Sequence, residues 1–248
     1  MHGVFCDCET INRGRRLLCA DYRRLSLGGY RVIEVHEAVG AVNDAIADET
    51  RRMLSEKSVF FVNLMASPGA GKTSVLLRIA ELLKGRYKVG VMEADIEAEV
   101  DAERMERADI PTIEVHTAGR CAMDAKMTAD ALKEYPYEGL DFIFLENIGN
   151  LVCPAEDDTG AMKNVCILSY PEGDDKPLKY PLMFEVCDAV IINKIDTSDY
   201  FLFDREKAVK RIKDRNPDSR IFFVSAKTGE GFESLVKWLI EEKRGGNK

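Results

Sequence analysis

A glycine-rich turn between an apolar run and a helical pattern constrains this chain more than any other feature. The turn is Ala66-Ser67-Pro68-Gly69-Ala70-Gly71-Lys72-Thr73. The apolar run Val59–Met65 precedes it, and the helical pattern Thr73–Lys84 follows it. In this order of strand, loop and helix, backbone N–H groups and a helix N-terminus cradle phosphate groups. The segment therefore predicts a P-loop, although Ala66 stands where the motif has its first glycine.

The P-loop motif assigns roles to individual residues. Lys72 is expected to reach the β- and γ-phosphates, and the Thr73 hydroxyl is expected to ligate Mg²⁺. The predicted nucleotide contacts of this segment are Pro68, Gly69, Ala70, Gly71, Lys72, Thr73 and Ser74.

A second motif, Asn193-Lys194-Ile195-Asp196, directly follows the apolar run Ala189–Ile192. A carboxylate at Asp196 can accept hydrogen bonds from both N1–H and the 2-amino group of guanine. Adenine would leave that carboxylate without these donors, which carries a free-energy penalty. The later segment Ser225-Ala226-Lys227 suits a third base-recognition loop. Together these segments predict GTP rather than ATP as the nucleotide.

Acidic residues end two other predicted strands. Asp95 follows the strand after the P-loop helix, and Glu146 begins the segment Glu146-Asn147-Ile148-Gly149. Carboxylates at such strand ends are well placed to hold Mg²⁺, and the Gly149 N–H is expected to sense the γ-phosphate. We therefore assign Lys72, Asp95, Glu146 and Gly149 to catalysis. Asp101 is a further candidate, and a solvated surface position is the alternative for each of these acids.

Strand-like and helical patterns alternate along most of the chain. The predicted strands are Val59–Met65, Tyr87–Glu93, Thr112–His116, Asp141–Glu146, Asn164–Leu168, Ala189–Asn193 and Ile221–Ser225. The predicted helices between them are Thr73–Lys84, Val100–Ala108, Met123–Glu134, Asp204–Asp214 and Phe232–Glu242. Such alternation favours an α/β fold of three layers with a mainly parallel sheet. We predict an irregular extension at 1–29, an amphipathic helical segment at 30–57 and the P-loop domain at 58–248.

Composition excludes some partners. The 35 basic and 43 acidic residues give a net charge of −8, which repels phosphate backbones and disfavours nucleic acid. No apolar run reaches transmembrane length, and Met1–Thr10 lacks the pattern of a secretory signal. The odd number of cysteines, seven, favours reduced thiols in a cytoplasmic protein.

Several segments go beyond a generic GTPase and resemble the HypB family of nickel-handling GTPases. They are the P-loop, Glu146-Asn-Ile-Gly-Asn-Leu-Val-Cys-Pro154, Glu172-Gly-Asp-Asp-Lys-Pro-Leu-Lys-Tyr-Pro181 and the helix around Asn43–Glu49. The resemblance covers roughly Tyr30 to Trp238. It implies a dimerising P-loop GTPase of the signal-recognition and MinD-like class that transfers nickel. The implied partners are a second copy of the chain, hydrogenase maturation proteins and the hydrogenase large-subunit precursor.

The resemblance also implies a metal site. Family members place a Cys-His pair and a second cysteine at a dimer interface, and the matching cysteines here are Cys121 and Cys153. Ala122 stands where the family has its histidine, and His116 is the nearest upstream substitute. Thiolates suit Ni²⁺ and Zn²⁺, and a two-fold dimer would assemble four of them. The alternative is that both are ordinary thiols; Cys166 and Cys187 lie in apolar contexts that predict core positions.

The sequence therefore predicts a GTP- and Mg²⁺-dependent metallochaperone with Ni²⁺ or Zn²⁺ as its cargo and a [NiFe] hydrogenase as its client. Two alternatives stay open. One is a GTPase of the same class that serves urease or a cobalamin enzyme, and the other is a nucleotide-binding metal-storage protein. We further expect Lys176, in the charged run Glu172–Pro177, to lie on a loop near the dimer interface, with a solvated loop as the alternative.

Overall fold

The computed structural model describes residues 35–94, 105 and 107–245 of the chain. Within them, one seven-stranded sheet has the order β3-β2-β4-β1-β5-β6-β7, and every neighbouring pair of strands is parallel. The strands are β1 (Phe60–Ala66), β2 (Val89–Glu93), β3 (Thr112–Glu114), β4 (Phe142–Glu146), β5 (Lys163–Ser169), β6 (Ala189–Asn193) and β7 (Arg220–Phe223). The predicted mainly parallel sheet is confirmed.

Helices cover both faces of this sheet. They are α1 (Val35–Glu56), α2 (Lys72–Leu83), α3 (Ala125–Glu134), α4 (Lys176–Lys179), α5 (Pro181–Val186), α6 (Arg205–Arg215) and α7 (Phe232–Gly245). Short 3₁₀ turns lie at Cys153–Ala155, Tyr170–Glu172 and Ile195–Thr197. None of the helices in the described ranges is long and apolar enough to cross a membrane.

The side chains of β1 alternate between the two layers of the core, because successive side chains of a strand point to opposite faces of the sheet. Val62 and Leu64 pack with apolar residues of α2 and α7. Phe61 packs on the other face with residues of α1 and α3, and Met65 packs there with residues of α5 and α6. The fully buried β1 is therefore the central strand between two helical layers.

Strand boundaries differ from the predicted ones by small amounts. β2 begins at Val89 rather than Tyr87, and β3 ends at Glu114 rather than His116. The short helices α4 and α5 were not predicted. Each carries a proline in its first turn and is too short to show a helical apolar period.

Some predictions fall outside the described residues. They concern the extension 1–29 with Cys6 and Cys8, the acids Asp95 and Asp101, and most of the helix predicted at Val100–Ala108. Met105 and Arg107 of that helix are described, and both are helical. The predicted division of the chain at residue 30 stays a prediction.

The parallel register brings the predicted site segments to one edge of the sheet. Glu146 at the end of β4 lies beside Leu64 of β1 and Glu93 of β2. On the other side of β1, Asn193 at the end of β6 lies beside Ser169 of β5. Ligands of open α/β sheets bind at this carboxyl-terminal edge.

Candidate functional site

The P-loop begins where β1 ends and closes where α2 starts at Lys72. Gly69 and Gly71 have φ angles of +77° and +96°, in the left-handed region that favours glycine. At Gly71 a β-carbon would lie 2.7 Å from Nδ2 of Asn193. Glycine is therefore required at this position both by its backbone angle and by the close approach of the β6 loop.

The two charged and polar residues that open α2 are buried. Lys72 is 6% exposed and Thr73 is 9% exposed. Thr73 Oγ1 donates a hydrogen bond to Glu146 Oε1 at 2.8 Å. A hydroxyl and a carboxylate in contact are oxygen donors of the kind that Mg²⁺ prefers, so these two residues fit the predicted magnesium site.

The segment after Glu146 touches the P-loop directly. A β-carbon on Gly149 would meet Pro68 Cγ at 3.1 Å and Pro68 Cα at 3.4 Å. This tight contact leaves little room for any residue other than glycine. The Glu146–Gly149 segment therefore lies against the P-loop. Its predicted role is to sense the γ-phosphate that this loop would bind.

The Asn193-Lys194 pair also contacts the P-loop. Asn193 Nδ2 donates to the carbonyl of Ala70 at 3.0 Å, and Lys194 Nζ donates to the carbonyl of Gly69 at 2.6 Å. Asn193 Oδ1 accepts the backbone N–H of Ala226 at 3.1 Å. One asparagine thus braces the P-loop on one side and the Ser225–Lys227 loop on the other.

The carboxylate of Asp196 is held by the neighbouring loop. Ser225 Oγ donates to Asp196 Oδ1 at 2.6 Å, and Ser225 Oγ accepts the N–H of Thr228 at 3.1 Å. Ser225 is fully buried, whereas Asp196 is half-buried. The predicted base-recognition residues therefore meet in one place, with the carboxylate oriented before a base arrives.

The remaining predicted nucleotide contacts lie at the rim of the same region. Ser74 and Lys227 are exposed, and Ala226 is half-buried beside Arg78, whose guanidinium donates to the Ala226 carbonyl at 3.2 Å. Arg78 was not among the predicted residues. Its position in α2 identifies it only as a helix residue, and the contact depends on the loop after β7 reaching this helix.

Glu172 is a second residue that the sequence did not single out for the P-loop. Its Oε2 atom accepts the N–H of Ser169 at 2.8 Å and the Ser169 hydroxyl at 2.7 Å. Its Oε1 atom accepts a hydrogen bond from the Ser67 hydroxyl of the P-loop. The run Glu172–Pro181 carries part of the family resemblance, but the sequence did not predict that Glu172 contacts the P-loop.

The structure brings Cys121 and Cys153 together within one chain. They are paired as a disulfide with their Cα atoms 6.0 Å apart, although 32 residues separate them in the sequence. The prediction of reduced thiols is thus wrong for this pair in the structure described, because the 117–124 and 150–160 segments fold against each other. Asn150 Nδ2 contacts Cys153 Sγ at 3.2 Å.

The substitute ligand His116 does not join this pair. Its side chain is 88% exposed, and its Nε2 atom lies 3.7 Å from Glu114 Oε1. Within the described part of the chain, no group of three or more His, Cys, Asp or Glu side chains is arranged to hold a metal ion. Reduction of the disulfide would leave two thiols, which as thiolates are soft ligands of the kind that suit Ni²⁺ and Zn²⁺.

Lys176 begins α4 rather than lying on an open loop, and its Nζ atom stands 5.6 Å from the centre of the Tyr180 ring. The preceding Asp174 accepts the N–H of Asp204 at 3.0 Å and is paired with Arg211 at 2.5 Å.

Cys166 and Cys187 are buried, as predicted for core positions.

Comparisons with known proteins agree with this geometry. The sequence model of the CobW/HypB/UreG nucleotide-binding domain matches residues 60–223. Hydrogenase maturation factor HypB of Azotobacter chroococcum mcd 1 is 40% identical over 217 residues, which cover 87% of this chain and 70% of that protein. Hydrogenase/urease maturation factor HypB of Helicobacter pylori strain J99 is 35% identical and covers 86% of this chain and 88% of its own length.

Among solved structures, HypB from Helicobacter pylori in complex with nickel superposes with a TM-score of 0.78 at 35% identity. The match covers 84% of this chain and 97% of that one. Residues 60–223, which the family model matches, include the P-loop, the Glu146–Gly149 segment and the Asn193–Asp196 motif. The chain therefore belongs to the CobW/HypB/UreG family and, within it, resembles the HypB proteins.

Proposed function

We propose that the protein is a GTP-hydrolysing metallochaperone that assists the insertion of nickel into a [NiFe] hydrogenase during maturation. One observation carries the nucleotide part of this proposal: the Asn193–Asp196 segment contacts both the P-loop and the Ser225 loop. Hydrogen bonds thereby link the carboxylate that would select the base to the loop that would bind the phosphates. The family and the nickel-bound relative support the metal part.

In the proposed reaction, each residue has a separate task. Lys72 offsets the negative charge of the phosphates, and the buried position of its side chain strengthens that interaction. Thr73 and Glu146 would hold Mg²⁺, which when bound neutralises charge on the phosphate oxygens. The Gly149 N–H, next to Pro68, would report the γ-phosphate to the segment that follows it.

That segment leads from the nucleotide to the cysteines. Asn147 Oδ1 accepts the N–H of Met123 at 3.2 Å, and Asn150 Nδ2 contacts Cys153 Sγ at 3.2 Å. Asn147 is fully buried, and its Nδ2 atom donates to Asn63 of β1 at 3.1 Å. We infer that movement of the Glu146–Gly149 segment on GTP binding reaches both cysteine-bearing segments through these amides.

A homodimer is the proposed working unit, because the Cys121–Cys153 pair of one chain supplies only two thiolates. Three consecutive side chains on the surface support a protein contact near the nucleotide loop: Tyr200 is 84% exposed, Phe201 42% and Leu202 101%. Large apolar side chains exposed together are costly unless a partner covers them. They follow the Asp196 turn in the sequence, so dimerisation and nucleotide binding would involve neighbouring residues.

A second client remains a candidate because one relative from Helicobacter pylori is named a hydrogenase/urease maturation factor. The proposed chemistry is the same for both clients, since each would receive nickel from the same pair of thiolates. Co-purification of the chain with a hydrogenase precursor or with urease would distinguish them.

The central experiment measures GTP and ATP hydrolysis with Mg²⁺ for the wild type, Lys72→Ala and Lys237→Ala. Lys237 is an exposed residue of α7 and serves as the matched control. We expect Lys72→Ala to lower kcat at least about 100-fold, since it removes the buried positive charge at the start of α2 that would offset the charge of the phosphates, whereas Lys237→Ala leaves kcat unchanged. GTP binding without turnover in the wild type would favour the metal-storage alternative, and equal hydrolysis of ATP and GTP would contradict the guanine assignment.

A further inference from the structure

The side chain of Asn43 on α1 bridges the two segments that carry the cysteines. Its Nδ2 atom donates to the backbone carbonyl of Asp158 at 2.9 Å. Its Oδ1 atom accepts the backbone N–H of Ala125 at 3.0 Å. Ala125 begins α3 shortly after Cys121, and Asp158 lies shortly after Cys153. One amide therefore joins the two segments at points just beyond their thiols.

Arg51 adds a second tie from the same helix to the Cys153 segment. Its guanidinium forms a bidentate pair with the Asp158 carboxylate, with N–O distances of 2.8 and 3.0 Å. Asp158 Oδ1 also accepts the N–H of Gly160 at 2.9 Å, which fixes the turn around it. Bidentate arginine–carboxylate pairs restrict orientation as well as distance. The Asp158 carbonyl that Asn43 contacts is thus held in a fixed place.

The Cys121 segment has its own internal bonds. Thr117 Oγ1 donates to the carbonyl of Arg120 at 2.9 Å, and Arg120 pairs with Asp124 at 2.6 Å. Asp124 caps α3 by accepting the N–H of Met127 at 2.8 Å. Each segment is therefore locally ordered, and within the described residues Asn43 is the side chain whose hydrogen bonds reach the backbones of both.

We infer that Asn43 is a positioning residue for the Cys121–Cys153 thiol pair, and that α1 thereby sets how close the two sulfurs stand. The metal-binding role of that pair rests on the proposed function, whereas the geometric role of Asn43 does not. Two thiols that are held together have a high effective concentration for each other, both for closing a disulfide and for binding one soft metal ion. Releasing one segment lowers that concentration.

The equilibrium with glutathione measures this effect directly. The protein disulfide and two glutathione thiols exchange into two protein thiols and one oxidised glutathione, so two electrons pass from glutathione to the Cys121–Cys153 bond. A substitution that destabilises the oxidised and the reduced protein equally leaves this equilibrium constant unchanged. A change in the constant therefore reports the placement of the thiols rather than the general stability of the fold.

The experiment uses the full chain with a metal chelator present, equilibrated in glutathione buffers of graded ratio. Alkylation and peptide mass spectrometry then give the reduced fraction of Cys121 and Cys153 alone. For Asn43→Ala we expect the equilibrium constant for reduction to rise about tenfold, equivalent to a midpoint about 30 mV less negative. Asn43→Asp keeps the acceptor for Ala125 but replaces the donor to Asp158 with a carboxylate oxygen that repels the Asp158 carbonyl, so we expect a rise in the same direction.

Asp44→Ala is the matched control, because Asp44 is the exposed neighbour of Asn43 on the same helix. We expect it to stay within about twofold of the wild type. An Asn43→Ala value within that same margin, or an equal shift in Asp44→Ala, would overturn the inference. If the wild type binds no nickel in a separate titration but Asn43→Ala still shifts the glutathione equilibrium, the metal role fails and the inference about Asn43 stands.

Discussion

Thr73 of the P-loop donates a 2.8 Å hydrogen bond from its hydroxyl to the buried carboxylate of Glu146, the last residue of β4. The bond joins the predicted magnesium ligand to the strand end from which the predicted phosphate sensor starts. It also joins the start of α2, the helix that follows β1, to the end of β4, the strand beside β1 in the sheet. Loss of either partner should therefore affect both Mg²⁺ use and the response to the γ-phosphate.

Glu146→Gln tests this relationship with an isosteric change. The amide can still accept a bond from Thr73 but no longer carries the charge that attracts Mg²⁺. We expect kcat for GTP to fall at least about tenfold and the Mg²⁺ concentration for half-maximal rate to rise. Magnesium titrations of GTP hydrolysis measure both quantities. Glu134→Gln, an exposed site at the end of α3, is the control, and an unchanged magnesium profile in Glu146→Gln would remove it from the site.

Asp196→Asn should move base preference from guanine towards xanthine. The Ser225 hydroxyl that holds Asp196 can still bond to an amide oxygen, so the loop is expected to keep its shape. The amide NH₂ group then faces the guanine donors, whereas xanthine offers a carbonyl oxygen there. We expect GTP affinity to fall at least about tenfold, the size of one hydrogen bond to a charged group. Competition binding with GTP and XTP measures the change, and Asp199→Asn is the exposed control. Unaltered GTP affinity would contradict the base assignment.

Lys176→Ala tests whether the start of α4 takes part in dimerisation. Its Nζ atom already stands over the Tyr180 ring, so its side chain is partly oriented. If it reaches the partner's nucleotide, its removal should weaken dimerisation with a GTP analogue and leave the state with GDP unchanged. Light scattering after size-exclusion chromatography, with Lys179→Ala as the control, measures this difference. Equal dimer fractions in both variants would show that Lys176 is only a solvated residue.

The double variant Cys121→Ala, Cys153→Ala should lose the proposed nickel site after reduction, because the thiols supply the soft ligands of each chain. Nickel titrations with a GTP analogue and with GDP, followed by mass spectrometry of the dimer, give stoichiometry and nucleotide dependence. Linkage requires that metal change GTP-driven dimerisation by the factor by which GTP changes metal affinity.

A second double variant, Cys6→Ala, Cys8→Ala, is the control for that titration, and we expect it to keep the wild-type stoichiometry. Equal stoichiometry in the Cys121–Cys153 variant and the wild type would refute the ligand assignment. If the variant loses the site but nickel affinity of the wild type is the same with the GTP analogue and with GDP, the ligand assignment stands and the proposed coupling to the nucleotide is wrong.

The core cysteines should behave differently from the reduced Cys121–Cys153 pair. Burial, and then the neighbouring Cys166 thiol, raise the pKa of the Cys187 thiol. The thiolate is the nucleophile, so a raised pKa leaves less of the reactive form at any given pH. We expect Cys166 and Cys187 to resist iodoacetamide at pH 8 in the folded protein and to react in denaturant. Peptide mass spectrometry checks this, and rapid native alkylation of Cys187 would contradict its buried position.

The local pattern of the sequence determined the elements that carry the nucleotide site. The apolar run before Gly69 predicted β1, and the run before Asn193 predicted β6 to the residue. These predictions succeed because a buried strand and a glycine-rich turn are recognisable within a few residues. The predicted P-loop and base-recognition segments also proved to be neighbours, because motifs that follow parallel strands emerge at the same edge of a sheet.

The tertiary structure alone decided which side chains meet between those segments. The Ser225–Asp196 bond, the Glu172–Ser67 contact and the pairing of Cys121 with Cys153 join residues whose separation in sequence has no fixed spacing. The bridge through Asn43 depends on α1 lying across two loops at once. Periodicity reports which face of an element is buried, but the order of strands in the sheet is set by long-range packing. The physical reason for the difference is that contacts between loops arise only when the whole sheet has assembled.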